Sequence, residues 1–274
     1  MRLSCLWPGL IGLALHVPAY AMVKELVIGV HPNRPVRAMI AHYDPLVIHL
    51  RQELNRPVRI VFARNSRVYG QRLLQGDYEL ALAPAHMARL MQKDQNGHVL
   101  ARYENDIPVF LLARKANALA TTIDLKNKIL AVPDRYLLMT LAGERWLAQH
   151  HFLPDIDYTL LVTEGFTGPI NAVITRAADM ALGVPEDIEL TRDDVLRQIS
   201  VVRQITSIPP LIFVARHDVT QQSRSEFKRA LLGYHSTTSE KIVAMAEHDL
   251  ASMDVFLPKT RLRLQSSVQT GSRQ

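Results

Sequence analysis

The sequence predicts an α/β protein built as two similar lobes. Three observations predict it. Short apolar runs of strand length alternate with stretches of helical periodicity. The alternation occurs twice, in units of similar length. Long extended segments near residues 104–113 and 204–214 join the two units.

The first unit opens with the apolar run at residues 26–30, followed by the loop His31-Pro32-Asn33-Arg34. Asp44-Pro45 reads as an N-cap followed by proline in the first helical turn. Leu46, Val47, Leu50 and Leu54 then recur at helical spacing, and Asn55 suits the helix end. Residues 58–62 form the next strand. Ser66 can cap a helix carrying Tyr69, Leu73 and Leu74, closed by Gly76. Residues 80–83 make a third strand and residues 85–91 a third helix. This β-α-β-α-β-α order predicts a parallel sheet with right-handed crossovers, a Rossmann-like lobe.

Residues 107–113 are a long extended run. The theme then restarts with a strand at 129–132 and a helix from about Arg135 to Gln149, burying Leu138, Leu141 and Trp146. Residues 159–162 and 180–183 are further strands, with Thr167-Gly168-Pro169 opening the helix between them. Extended segments at 201–205 and 211–215 follow, and the helices from about Gln221 return to the first lobe. The expected division is 22–106 plus 207–262 for lobe 1, 107–206 for lobe 2, and a flexible Ser, Gln and Gly-rich tail over 263–274.

Residues 1–21 read as a signal peptide. Arg2 supplies the positive end, residues 6–17 form an apolar run too short to span a membrane, and Ala19-Tyr20-Ala21 is a small-x-small cleavage site. Cleavage after Ala21 is expected to release an exported mature chain. It also removes Cys5, the single cysteine. Disulfides, cysteine nucleophiles and thiolate metal sites are then excluded.

The 274 residues carry a formal net charge of +6, or +5 without Arg2. Lys and Arg are scattered with no long basic run, so no nucleic-acid partner is expected. No nucleophile elbow, HExxH motif or phosphate-cradling glycine loop is present, so no catalytic residue is assigned. His42 and His49, seven apart, suit a surface face as well as a metal pair. Adjacent His150 and His151 point in different directions on a helix. No metal and no cofactor is expected.

Several motifs carry a family resemblance. Thr122-Ile123-Asp124-Leu125-Lys126-Asn127-Lys128-Ile129 resembles the entry to the second lobe of type 2 periplasmic binding proteins, with Asn127 for the usual glycine. Asp44-Pro45-Leu46 through Leu54 resembles the first helix of the phosphonate/phosphate-binding (PhnD-like) members. Gln75-Gly76-Asp77-Tyr78-Glu79-Leu80-Ala81, Ala83-Pro84-Ala85-His86, Ala177-Ala178-Asp179-Met180-Ala181 and the stretch Ser207-Ile208-Pro209-Pro210 through Arg216-His217-Asp218 resemble later family segments. The resemblance spans residues 27–232 and rests on the order and spacing of these motifs.

The resemblance implies the periplasmic binding protein type 2 fold and a two-segment hinge. It implies the substrate-binding protein of an ABC importer, which captures a small phosphonate- or phosphate-like anion between its lobes and delivers it to a membrane permease. The alternative is a ligand-sensing module signalling to a membrane kinase or cyclase. An enzyme on this scaffold that holds its cofactor through cysteine is disfavoured by a cysteine-free mature chain.

In such a fold, strand ends and helix starts converge on the ligand. The candidate binding residues are Asn33, Ser66, Ala85, His86, Arg135, Tyr136, Thr167 and Gly168. Helix N-termini offer unpaired N–H groups to an oxyanion, Ser66 and Thr167 offer hydroxyls, and Arg135 offers a bidentate guanidinium. Ser66 fits a helix cap equally well, Tyr136 fits a core position, and Thr167-Gly168-Pro169 fits a cap and first turn. The sequence departs from the family it resembles at two places that matter. The family's Ser/Thr-rich turn at the start of the second-lobe helix is replaced by Asp134-Arg135-Tyr136-Leu137-Leu138, and the family's later histidine by Phe166 or Thr167.

Overall fold

The computed structural model describes residues 24–115, 125–163, 165–236 and 240–266. The expected signal peptide, its cleavage site after Ala21, and Thr122-Ile123-Asp124 lie outside the described residues.

The first unit runs β1 (Leu26–Val30), α1 (Val36–Leu54), β2 (Val58–Phe62), α2 (Ser66–Leu74), β3 (Leu80–Ala83), α3 (Ala85–Gln95) and β4 (His98–Tyr103). The second runs β5 (Ile107–Arg114), β6 (Lys128–Val132), α4 (Leu138–Gln149), β7 (Tyr158–Val162), α5 (Gly168–Ile174), β8 (Met180–Gly183), α6 (Pro185–Glu189), α7 (Asp193–Leu196) and β9 (Ile199–Ile208). The chain then returns through β10 (Ile212–Ala215), α8 (Gln221–Leu232), β11 (Ile242–Ala244), a 3₁₀ segment (Glu247–Phe256) and α9 (Leu257–Gln265).

Two sheets result. One has the order β11-β4-β10-β3-β1-β2 and the other β7-β6-β8-β5-β9. In each, three parallel strands are followed by an antiparallel one: β10 beside β3 in the first, β5 beside β8 in the second. The antiparallel strand of each sheet comes from the far side of the other lobe in sequence. Two short connections therefore cross between lobes, at residues 104–106 and 209–211. Between them β5 and β9 pair from Ile107↔Ile208 to Arg114↔Ile199.

Alternation along the strands splits the first lobe's core. Leu26, Ile28, Val30, Leu80 and Leu82 face α1 and α8, where they meet Met39, Leu50 and Phe227. Ala81, Ala83, Ile212 and Val214 face the opposite way, toward Tyr69, Met87 and Met91 of α2 and α3. That second cluster continues into the other lobe through Leu138, Met139 and Ala142. Tyr78 crosses the turn before β3, and its ring covers Gly29. A Cβ added there would lie 2.3 Å from the ring.

Four details differ from the sequence reading. Helix α1 starts at Val36, with Pro35 as its N-cap, so Asp44 and Pro45 lie inside it. The buried stripe Met39, Tyr43, Leu46, Val47 and Leu50 holds the helix through. Pro45 removes a bond to the carbonyl of Ala41, but both residues are exposed and water can serve that carbonyl. The expected end at Asn55 is found, in the left-handed region at φ 46°. Helix α4 starts at Leu138, not Arg135. Before it, the Asp134 carboxylate accepts the Tyr136 N–H at 2.9 Å and the Thr140 hydroxyl donates to the Asp134 carbonyl at 2.7 Å, fixing a turn. The tail begins later than residue 263, because Arg263 and Leu264 are part of α9 and Leu264 is buried. Strands β4 and β11 were not expected; β4 gains its place only by pairing with β10 and β11.

Candidate functional site: the interlobe cleft

The carboxyl ends of β1, β2 and β3 face those of β6 and β8 across a gap. Among the described residues, three neighbouring spaces that share lining residues lie in it. The outer space, about 550 Å³, lies against Arg34, Arg64 and Ser66 from lobe 1 and Asp134, Leu137 and Phe166 from lobe 2. The central space, about 100 Å³, lies against His31, Asn33, Pro84, Met139, Glu186 and Asp187. The hinge-side space, about 240 Å³, lies against Tyr43, Tyr103, Glu104, Asp106, Glu186 and Glu240. Arg34 borders all three.

Helix starts supply donors. In α2 the Asn65 side chain caps the helix, accepting the Val68 N–H at 2.9 Å. Ser66 was expected as a possible cap; it is instead the first helical residue, freed from capping by Asn65. Among the described residues the N–H groups of Ser66 and Arg67 have no intramolecular partner, and neither does the Ser66 hydroxyl. The first turn of α4 likewise leaves the N–H groups of Leu138 and Met139 without acceptors among the described residues. Both residues border the central space. These are the orphan donors that helix ends offer to anions. Arg34 adds a half-buried guanidinium with no hydrogen-bond partner and no carboxylate within 4 Å among the described residues.

The buried polar groups are unusual. His31 is 1% exposed, stands edge-on to Tyr69 at 5.1 Å, and neither of its ring nitrogens has a partner. Burial, with nearby His86 adding to it, lowers its pKa to about 3, so it is neutral at pH 7. Asn33 Oδ1 and Glu186 Oε2 are also buried without partners. Asp187 is 4% exposed, and its carboxylate accepts the Val184 N–H at 3.1 Å. Burial nonetheless raises it to about 7, overriding that bond.

Of the expected site residues, Asn33 and Ser66 border the cleft. The other six border none of the three spaces. Ala85 is fully buried at the first turn of α3, and its neighbour Pro84 faces the cleft instead. His86 is fully buried, and its Nε2 lies 3.1 Å from the Tyr136 carbonyl. Burial lowers it to about 4. Arg135 is exposed, and its carbonyl accepts a hydrogen bond from Arg263. Tyr136 packs with Leu90, Leu257 and Leu264, the core alternative for that residue. Thr167 is the N-cap position of α5 and Gly168 its first residue, where a Cβ would meet the Thr163 hydroxyl at 2.7 Å.

The sequence places the His31-Pro32-Asn33-Arg34 loop at the cleft without singling out Arg34, and it misses Glu186 and Asp187. A signal for the last two existed. Val184-Pro185-Glu186-Asp187 follows β8 as Pro84-Ala85-His86 follows β3, so the internal repeat assigns both segments to the cleft.

The arrangement defines a class: a two-lobed α/β binding protein with a solute-sized gap between its halves. Residues 28–256 match the family model described as the periplasmic substrate-binding protein of phosphonate ABC transporters, and the chain belongs to that family. No curated protein matches by sequence. Among solved structures, PhnD1 from Prochlorococcus marinus, in complex with methylphosphonate, superposes with a TM-score of 0.75 at 13% identity, covering 87% of this chain and 98% of that one. A binding protein component of a Pseudomonas aeruginosa ABC phosphonate transporter gives 0.72 at 14% identity, covering 90% and 91%. A Xanthomonas citri protein bound to ATP gives 0.68 at 14% identity, covering 86% and 98%. At these identities the likeness is one of fold. The family is one of periplasmic substrate-binding proteins, whose counterparts are a small-molecule ligand and a membrane permease.

Proposed function

We propose that this protein captures a small organic anion with a phosphonate-like head in the interlobe cleft and presents it to an ABC permease, with no catalytic step. The observation carrying this reading is the convergence of unpaired donors on one gap. Ser66 at the start of α2, Leu138 and Met139 at the start of α4, and Arg34 border neighbouring spaces, and their N–H groups and the Arg34 guanidinium have no acceptor among the described residues. An oxyanion held between the lobes would be met by donors from both once they close. Ser66 adds a hydroxyl. Export with cleavage after Ala21 delivers the chain to the compartment where a permease would meet it.

Closure follows from the two connections at residues 104–106 and 209–211. Rotation there brings lobe 1 donors and the α4 N-terminus onto one ligand. The test is titration calorimetry of the purified mature chain with methylphosphonate and inorganic phosphate, alongside Ser66→Ala and Arg34→Gln. Saturable binding that both substitutions weaken supports the reading. Absence of heat and of thermal stabilisation with every anion tried would sink it.

A further inference from the structure

The donors of the cleft are few, and most of what surrounds them is apolar. Ile107, Leu137, Leu138, Met139, Phe166 and Val184 border the central space. Ser66 is the sole hydroxyl side chain bordering the outer and central spaces among the described residues. The second lobe contributes backbone N–H groups to its anion seat but no hydroxyl, because its entry turn reads Tyr136-Leu137-Leu138. Phe166 and Leu137 border both the outer and the central space, so apolar surface runs from one into the other.

Charge points the same way. Asp134 borders the outer space, and Glu186 and Asp187 border the central one. A compact dianion filling this gap would meet three acidic side chains and leave the apolar walls against water. Apolar surface facing a small, fully hydrated oxyanion gains nothing on closure, whereas an apolar group there is removed from water at about 25 cal/mol per Å².

Resting on the reading above, we propose that the cleft selects an anion carrying an apolar substituent, an aryl- or branched-alkylphosphonate, with its head at Arg34 and Ser66 and its substituent against Leu137, Met139 and Phe166.

The experiment is competitive titration calorimetry of the intact mature protein with phenylphosphonate, methylphosphonate, 2-aminoethylphosphonate and inorganic phosphate. Phenylphosphonate binds at least about tenfold more tightly than methylphosphonate if the substituent is buried. Phe166→Ala, at a partly exposed loop position, then lowers that ratio toward one, and Phe166→Leu restores part of it. Equal or tighter binding of methylphosphonate or phosphate overturns this inference and leaves the proposed function standing. Tightest binding of 2-aminoethylphosphonate also overturns it, making the free Glu186 oxygen the selector. Failure of all four to bind overturns both readings.

Discussion

The carboxylate of Glu144, on α4 of the second lobe, accepts hydrogen bonds at 2.9 Å on both oxygens from Arg263 of α9. Glu144 is 4% exposed, and Lys259 of the same helix adds a contact at 2.6 Å. Helix α9 packs on α2 and α3 of the first lobe, so this cluster ties the lobes together on one flank of the cleft. The bond from Arg263 to the Arg135 carbonyl and the contact of His86 with the Tyr136 carbonyl lie on the same flank.

Removing one partner of a buried ion pair leaves the other desolvated and unpaired, at a cost of about 3 kcal/mol or more. Glu144→Ala should therefore lower unfolding free energy by that order in a urea titration. Because Lys259 is partly exposed and can turn to water, the deficit should be recovered in large part by pairing Glu144→Leu with Arg263→Leu. A double variant as unstable as the single one would contradict the tie.

Acid should destabilise the fold through His31 and His86. Both are held neutral by burial, at about 3 and about 4, while the unfolded chain takes up protons below about 6.5. Their stabilising contribution is present above 6.5 and is lost as pH falls through those folded values. Melting temperature measured from pH 7.5 to 4 should fall, and His86→Gln should flatten that limb.

Asp187 works in the opposite sense. Its folded value of about 7 lies above its ordinary 3.8, so its contribution is present below 3.8 and is lost as pH rises through 7. Asp187→Asn should raise stability near pH 8 relative to the parent and have little effect near pH 4. Thermal melts at the two pH values give the comparison, and equal effects at both would refute it.

Arg34→Gln should separate binding from folding. Arg34 makes no hydrogen bond and no ion pair within 4 Å among the described residues, and its charge only helps to hold Glu240 low, so the melting temperature of the ligand-free protein should fall only slightly. A charge-assisted hydrogen bond to an anion is worth about 1.5 to 3 kcal/mol, so affinity for a phosphonate should drop roughly tenfold to a hundredfold. Calorimetry on the same sample reads both quantities.

Gly29→Ala should damage the first lobe. The new methyl would sit 2.3 Å from the Tyr78 ring, which is itself buried and stacked on Tyr69. Overpacking of this kind costs about 1 to 3 kcal/mol. A thermal melt shifted by only a fraction of a degree would show that the ring can move aside.

Most of the fold was legible because the helices and the central strands bury wide stripes at regular spacing. The stretches at 58–62, 80–83 and 180–183 are found within their expected bounds. What escaped depends on partners distant in sequence. Strand β4 is a strand because β10 and β11 flank it, and neither is near it in the chain. The start of α1 escaped because Asp44-Pro45 resembles a helix beginning, while the buried stripe from Met39 onward overrides that local preference. In the cleft, the loops were legible but the side chains were not. Loop position fixes that residues 133–138 face the gap; side-chain packing decides that Leu137 borders it while Tyr136 turns to α9. Arg34 is not singled out because nothing in the sequence separates a solvated arginine from one facing a gap.

The placement of β10 also bears on the order in which the molecule can assemble. It lies between β3 and β4, so the leading half of the chain has two sheet fragments with an empty lane between them until residues 212–215 arrive. The second lobe, contiguous from β5 to β9, suffers no such wait. A polypeptide emerging N-terminus first is thus kept from locking its front end into a finished unit until more than two hundred residues have followed.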